Sequence, residues 1–289
     1  VVAVASVLAR RAALDAREEW RRDISSPAEL AWYLGCVENG LGYRGLAGTS
    51  GVGTHGGSED HTAILTSRPG CVSQYRFMPV VHEGDVPMPE GWTFVVGSSG
   101  VHADKAGAVK ARFNRAALAG RALLDLWNRE ADVPALSLGT ALEAPDARAC
   151  LRARIDAAGH ATFPRDELAR RLAHFVGENL RVPAAARAFA ETDAETLGSL
   201  ADASQREADE WLGNQVPETR ALAALARAHG ALAASSFGAG FGGSVWAIVD
   251  REDAARFVRR WKASYLRAYP DAQAADWFLA RPGPALTEL

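Results

Sequence analysis

Apolar positions in this chain fall mostly at helical spacing, broken by a few runs in which they crowd together or alternate as strands do. The opening Val1-Val-Ala-Val-Ala-Ser-Val-Leu-Ala9 reads as the body of a buried helix, and a helical pattern covers the first two dozen residues. Ser25-Ser26-Pro27 ends it and starts a second helix, with Ser26 as N-cap and Pro27 at the first helical position, where its missing N–H costs nothing. That helix stops near Asn39-Gly40. The glycine-rich segment from Gly40 to Gly57 is expected as a long flexible loop delivering the chain to Asp60, and a further helix runs from there to about Ser67. Two strand-like runs follow, Cys71 to Val81 and Trp92 to Ser98, joined by the polar segment Glu83 to Glu90.

Phe113, Ala116, Ala117, Gly120, Leu124 and Trp127 recur at helical spacing and predict a helix lying on the sheet. From Pro134 to Pro217 the pattern is nearly all helical, punctuated at Phe163-Pro164, Val182-Pro183 and Gly213-Asn214. Glu218 to Ala233 reads as one more helix, Val245 to Val249 as a buried strand, and Arg251 to Ala268 as an amphipathic helix with Ala254, Ala255, Val258 and Trp261 inward. The class is α+β, mixed sheets carrying helices. Trp246 and Trp261 sit in these patterns as core residues.

Composition narrows what the chain can be. At 289 residues, 48% hydrophobic and 23% charged, it is long enough for two domains or one large one. A net charge of −3 without a long basic run gives no electrostatic reason to expect nucleic acid or an anionic membrane, and favours small-molecule partners. Cys36, Cys71 and Cys150 are odd in number and widely spaced, which fits neither a disulfide framework nor a zinc site and points to a cytoplasmic location. The apolar start is too short to span a bilayer, and Arg10 and Arg11 follow it where a secretory signal would have them first. It also opens with no cap and no Met, so the chain is expected to begin partway into a domain. Nothing in the sequence sets an oligomeric state.

The chemistry-bearing stretch is Ser236-Phe-Gly-Ala-Gly-Phe-Gly-Gly-Ser244. Such a loop can wrap phosphate or sugar groups with bare backbone N–H donors. Its letters also satisfy G-x-G-x-x-G at Gly238, Gly240 and Gly243, but a dinucleotide loop leaves a strand and opens a helix, and here the predicted order is reversed. A glycine turn serving only tight packing remains the plain alternative. His55, Glu59 and His61 around Asp60 lack the spacing of a transition-metal site. The end of the strand at Ser98-Ser99-Gly100 is placed to line a cleft, and Lys105 beyond it either touches a phosphate or is an ordinary solvated lysine.

Gly56-Gly57-Ser58-Glu59-Asp60, the later Gly238-Ala239-Gly240-Phe241-Gly242-Gly243-Ser244 and the tail Arg281-Pro-Gly-Pro284, in that order, resemble the galactokinase branch of the GHMP small-molecule kinases. The resemblance implies a GHMP-kinase-like α+β fold. Residues 1–90 would be the remainder of an N-terminal ribosomal-protein-S5-like catalytic domain, and residues 91–289 a ferredoxin-like C-terminal domain with a helical insertion. It further implies an ATP-dependent kinase phosphorylating the anomeric hydroxyl of galactose or a related sugar. Asp60 would be the catalytic carboxylate, with Gly57, Asp60 and Phe113 in substrate binding, Gly238 to Ser244 shaping the nucleotide and substrate site, and Glu38, within Cys36-Val37-Glu38-Asn39, ligating Mg2+. Phe113-Asn114 stands where galactokinases have Tyr-Asn, and Val216 of Asn214-Gln-Val-Pro-Glu-Thr219 stands where they have cysteine. The family's first two signatures have no counterpart, so the chain by itself is expected to bind ATP poorly and turn over little or nothing. Two alternatives stand beside this: a kinase for an amino sugar, pentose or heptose, and a non-catalytic sugar-binding regulator on the same scaffold.

Overall fold

The computed structural model describes residues 2–102 and 107–286, so Val1 and Lys105 lie outside the described residues. The chain divides into two compact units, Val1–Pro87 with Pro282–Leu289, and Met88–Arg281. No helix among the described residues is long and apolar enough to cross a membrane.

In the first unit, α1 (Val2–Arg11) and α2 (Glu18–Asp23) replace the single helix expected over the opening residues. Ala13 turns left-handed at φ 49°, and the charged stretch on either side is largely exposed, so no packing holds the helix continuous. Then comes α3 (Pro27–Asn39), with the N-cap Ser26 Oγ accepting the Glu29 N–H at 3.2 Å and Glu29 Oε2 accepting the N–H of the preceding Ser25 at 2.7 Å, two bonds that fix the start of the helix. The connector to α4 (Glu59–Thr66) is an irregular, mostly exposed loop, as expected, and it is anchored at a few points. Tyr43 is 2% exposed and sits edge-on to Trp32 and Tyr33, and its N–H and C=O exchange hydrogen bonds with Leu46. At Gly51, with φ +64°, a Cβ would lie 2.6 Å from the Glu38 carbonyl, so the connector can close against α3 only with glycine there.

The expected strand from Cys71 to Val81 is two: β1 (Cys71–Phe77) turns at Met78-Pro79 into β2 (Val80–Pro87), antiparallel. Glu83 and Asp85, which made the second half look like a connector, pair across the ladder with Gln74, Arg76 and Ser73. The tail returns to this unit, with the Pro282 carbonyl accepting from Gly70 N–H and Leu286 N–H donating to the Ile64 carbonyl.

The second unit is built on β3 (Trp92–Ser98). Next come α5 (Gly107–Asn128), α6 (Leu138–Ala141), α7 (Ala147–Ala158), α8 (Arg165–Ala190), α9 (Ala194–Glu207) and α10 (Pro217–Ala228). Then follow β4 (Ala233–Ser236), β5 (Ser244–Asp250), α11 (Ala254–Ala268) and β6 (Asp276–Ala280). The sheet order β4-β5-β3-β6, antiparallel throughout, is the ferredoxin-like order, and α5 to α9 form the helical insertion. Helices α10 and α11 cover one face around Val95, Leu222, Val245, Ala247, Trp261 and Tyr265, and Trp261 Nε1 donates to the Leu222 carbonyl at 3.0 Å. This is the α+β class expected from the motifs, with its ferredoxin-like sheet and helical insertion.

Several details differ from the sequence expectation. The helix predicted over Glu218–Ala233 stops at Ala228, because β4 pairs with β5 from Ala233 and the Leu232 N–H already donates to the Ile248 carbonyl. Helix α5 packs among α6, α7 and α8 through Ala119, Ala122, Leu123 and Leu126 rather than on the sheet. Pro183 lies inside α8 without ending it, forgoing one backbone hydrogen bond. On α11 the inward residue is Phe257, and Ala255 faces out.

His174 of α8 is 9% exposed, and Arg171 Nη1 lies 3.1 Å from its Nδ1, which must accept, so the ring is neutral with its proton on Nε2. Burial first, then the charges of Arg171 and Arg181, pushes its pKa from 6.5 down to about 4. Between those values the unfolded chain binds a proton that the folded one refuses. Stability from this group is therefore intact above pH 6.5 and falls by an amount on the order of 3 kcal/mol as pH drops toward 4. Urea unfolding across that window should show this loss, and His174→Gln should remove that part of the slope.

Candidate active site

In the first unit the predicted metal ligand and catalytic carboxylate sit on neighbouring helix ends. Glu38 is in the last turn of α3 and Asp60 in the first turn of α4, where the helix dipole favours an acid. Glu38 Oε2 lies 3.1 Å from Nε2 of buried His61, and Glu38 Oε1 accepts from Thr54 Oγ1 at 3.4 Å. A carboxylate only accepts, so His61 carries its proton on Nε2. Asn39 Nδ2 donates to the carbonyls of Gly35 at 2.8 Å and Gly56 at 2.7 Å, which pins the end of the connector to α3.

Asp60 and Gly57 are exposed. Desolvation, with a smaller push from the Asp60 carboxylate, holds the Glu59 carboxyl above its ordinary range, although the residue's own surface is open to solvent. The donor set at Glu38 fits magnesium: hard carboxylate oxygens, each with a lone pair left after the bonds to His61 and Thr54, and magnesium takes one or two carboxylates with phosphate oxygens and water. Among the described residues no three His, Cys, Asp or Glu side chains gather as a metal-binding group.

In the second unit the glycine loop is the connection of the β4–β5 hairpin. Gly238, Gly240, Phe241, Gly242 and Gly243 all have positive φ, a backbone that residues with side chains rarely adopt and glycine adopts freely. Gly240 and Gly242 are buried, and neither N–H has a protein acceptor among the described residues. A Cβ on Gly240 would lie 2.6 Å from Asn214 Nδ2 and closer still to the Asn214 carbonyl oxygen, which accepts the Phe241 N–H at 2.5 Å. The Phe241 ring is buried beneath the Arg112 guanidinium, 4.6 Å from its centroid, and Arg112 Nη2 donates to the Gly213 carbonyl at 3.3 Å.

Phe113, half-buried, is the next residue on α5, so the predicted sugar contact and the loop share that helix. The end of β3 clasps the loop as well, since Ser99 N–H donates to the Gly243 carbonyl and Gly243 N–H to the Val101 carbonyl. Tyr265, fully buried, donates its hydroxyl to the Ser99 carbonyl at 2.8 Å. Sequence reasoning missed Thr54, Arg112 and the pairing of His61 with Glu38. No local pattern signals them, because each acts across a turn or between elements.

In the second unit, then, a glycine hairpin loop sits on a ferredoxin-like sheet beside a helical insertion. Residues 185–267, which run from α8 through the glycine loop to α11, match the family model described as GHMP kinases C terminal. No curated protein sequence matches the chain. Among solved structures, the galactokinase of Lactococcus lactis, crystallised with galactose, aligns over 92% of this chain and 68% of its own, with 23% identity and a TM-score of 0.69. The mevalonate kinase of L. major, in complex with R-mevalonate, aligns over 79% of this chain and 53% of its own, at 15% identity and a TM-score of 0.47. The homoserine kinase of Cytophaga hutchinsonii aligns over 72% and 46%, at 12% identity and 0.37. The chain thus shares the fold of that galactokinase, and its residues 185–267 are similar to the C-terminal part of GHMP kinases.

Proposed function

We propose that this protein is an ATP-dependent sugar kinase that transfers the γ-phosphoryl group to the anomeric hydroxyl of galactose or a related sugar, leaving ADP and a sugar 1-phosphate. Phosphoryl transfer asks for positioning and charge stabilisation more than covalent work. In this reading Asp60 orients the acceptor hydroxyl and takes its proton as the phosphorus–oxygen bond forms. Within Gly238 to Ser244 the amides of Gly240 and Gly242, which have no acceptor among the described residues, receive phosphate oxygens, and Gly57 leaves the approach to Asp60 open. Glu38, steadied by His61 and Thr54, holds Mg2+, which when bound neutralises charge on the phosphate oxygens. Phe113 offers the sugar an apolar face without a hydroxyl, which shifts discrimination among sugars away from that of a tyrosine-bearing site.

The observation that carries this reading is the run of positive φ through the glycine loop, with buried Gly240 and Gly242 amides, inside the stretch similar to the C-terminal part of GHMP kinases. The test is full-length protein with ATP, magnesium and a panel of galactose, an amino sugar, a pentose and a heptose. One member of the panel should yield a 1-phosphate with stoichiometric ADP. Binding of both ATP and a sugar with no transfer to any of them would favour the non-catalytic regulator.

A further inference from the structure

Behind the glycine loop runs a chain of side-chain amides that starts and ends on the same hairpin. At its start the Ser236 N–H of β4 donates to Gln205 Oε1 at 2.7 Å, with Ser235 Oγ 3.2 Å from the same oxygen. Gln205 Nε2 donates to Gln215 Oε1 at 3.2 Å, which also lies 3.0 Å from Thr219 Oγ1. Gln215 Nε2 donates to Asn214 Oδ1 at 2.9 Å, and Asn214 Nδ2 reaches the Ala239 carbonyl, inside the loop, at 3.4 Å. Asn214, Gln215, Thr219 and Ser235 are all buried, where an unpaired polar group costs about 1–3 kcal/mol.

The two ends dictate the direction of every link. A backbone N–H can only donate and a backbone carbonyl can only accept, so Gln205 must turn its oxygen to Ser236 and Asn214 its nitrogen to Ala239. Between them only one orientation of the Gln215 amide satisfies both neighbours. Reversing it sets nitrogen against nitrogen on one side and oxygen against oxygen on the other.

We infer that Gln205 and Gln215 are positioning residues for the glycine loop, locking the Asn214 backbone that holds the Phe241 N–H and thereby fixing the left-handed run that presents the loop amides. The structural half stands on these contacts alone. Its functional half, that the brace sets nucleotide affinity, rests on the reading proposed above.

The test uses full-length protein carrying Gln215→Glu, which keeps the shape and places an oxygen against Asn214 Oδ1, with Gln205→Leu as a second variant. Amide hydrogen exchange should rise at least about tenfold at Ser236 and Phe241 while β3 and α11 keep their protection. The KM for ATP should rise about tenfold, with the KM for sugar unchanged, a split that general loosening of the fold would not produce. Unchanged exchange at Ser236 and Phe241 in a folded Gln215→Glu protein overturns the brace. Raised exchange with an unaltered ATP KM overturns its link to the nucleotide. Raised exchange in a protein whose parent phosphorylates no sugar leaves the brace standing and removes the kinase reading instead.

Discussion

Replacing Asp60 by asparagine should leave the protein folded and lower kcat for sugar phosphorylation by about 10²–10⁴-fold, the range expected when a general base is removed. The side chain is exposed, and it accepts no hydrogen bond from another described residue, so its loss costs the fold little beyond a first-turn helix contribution of roughly 0.3–1 kcal/mol. Asparagine keeps the size and can still touch the sugar hydroxyl, so the KM for sugar should move much less than kcat. Steady-state kinetics on full-length protein, beside a thermal melt, separates the two. Turnover within threefold of the parent would take Asp60 out of the chemistry.

The second large effect is expected at Gly240. Valine there must hold φ +79° and drive its Cβ into the Asn214 backbone, a rigid neighbour with no room to give. The left-handed conformation costs about 1–2 kcal/mol and the overpacking about 1–3 kcal/mol, so the loop cannot keep its shape. Loss of ATP binding by at least tenfold is the expected result. The sheet should persist, because its core around Val95, Leu222 and Trp261 lies elsewhere. Equilibrium nucleotide binding and the melting temperature, measured together, would show a binding defect out of proportion to stability. Normal ATP affinity in Gly240→Val would exclude the loop from the nucleotide site.

The elements that were legible in the sequence are those whose signals are local. Ser26-Pro27 and Asn39-Gly40 bracket α3 because capping and termination chemistry is written within a few residues. The glycine loop was legible because only glycine tolerates most of its backbone, although Phe241 adopts φ 62° as well and is held there by Asn214 and Arg112. What was hidden depends on distant partners. Strand β2 is too polar to look like a strand until Ser73, Gln74 and Arg76 are set across from it. Strands β4 and β6 are short, and the alanines of β4 extend the helical pattern of α10 until pairing with β5 decides otherwise. Of the site, residue types at Glu38, Asp60 and Gly238 to Ser244 could be named from motifs, whereas the His61–Glu38 contact spans an irregular connector that no periodicity describes.

The return of Pro282 to the first unit makes Met88–Arg281 an insertion rather than a tail. The polypeptide crosses between the units twice, at Pro87–Met88 and again at Arg281–Pro282. A protease that nicks only the earlier crossing yields residues 1–87 and 88–289 as separate polypeptides, and the tail from Pro282, bonded to Gly70 and Ile64, is then a non-covalent tether, so gel filtration of a protein that a denaturing gel shows to be cut would measure how strongly that tail holds.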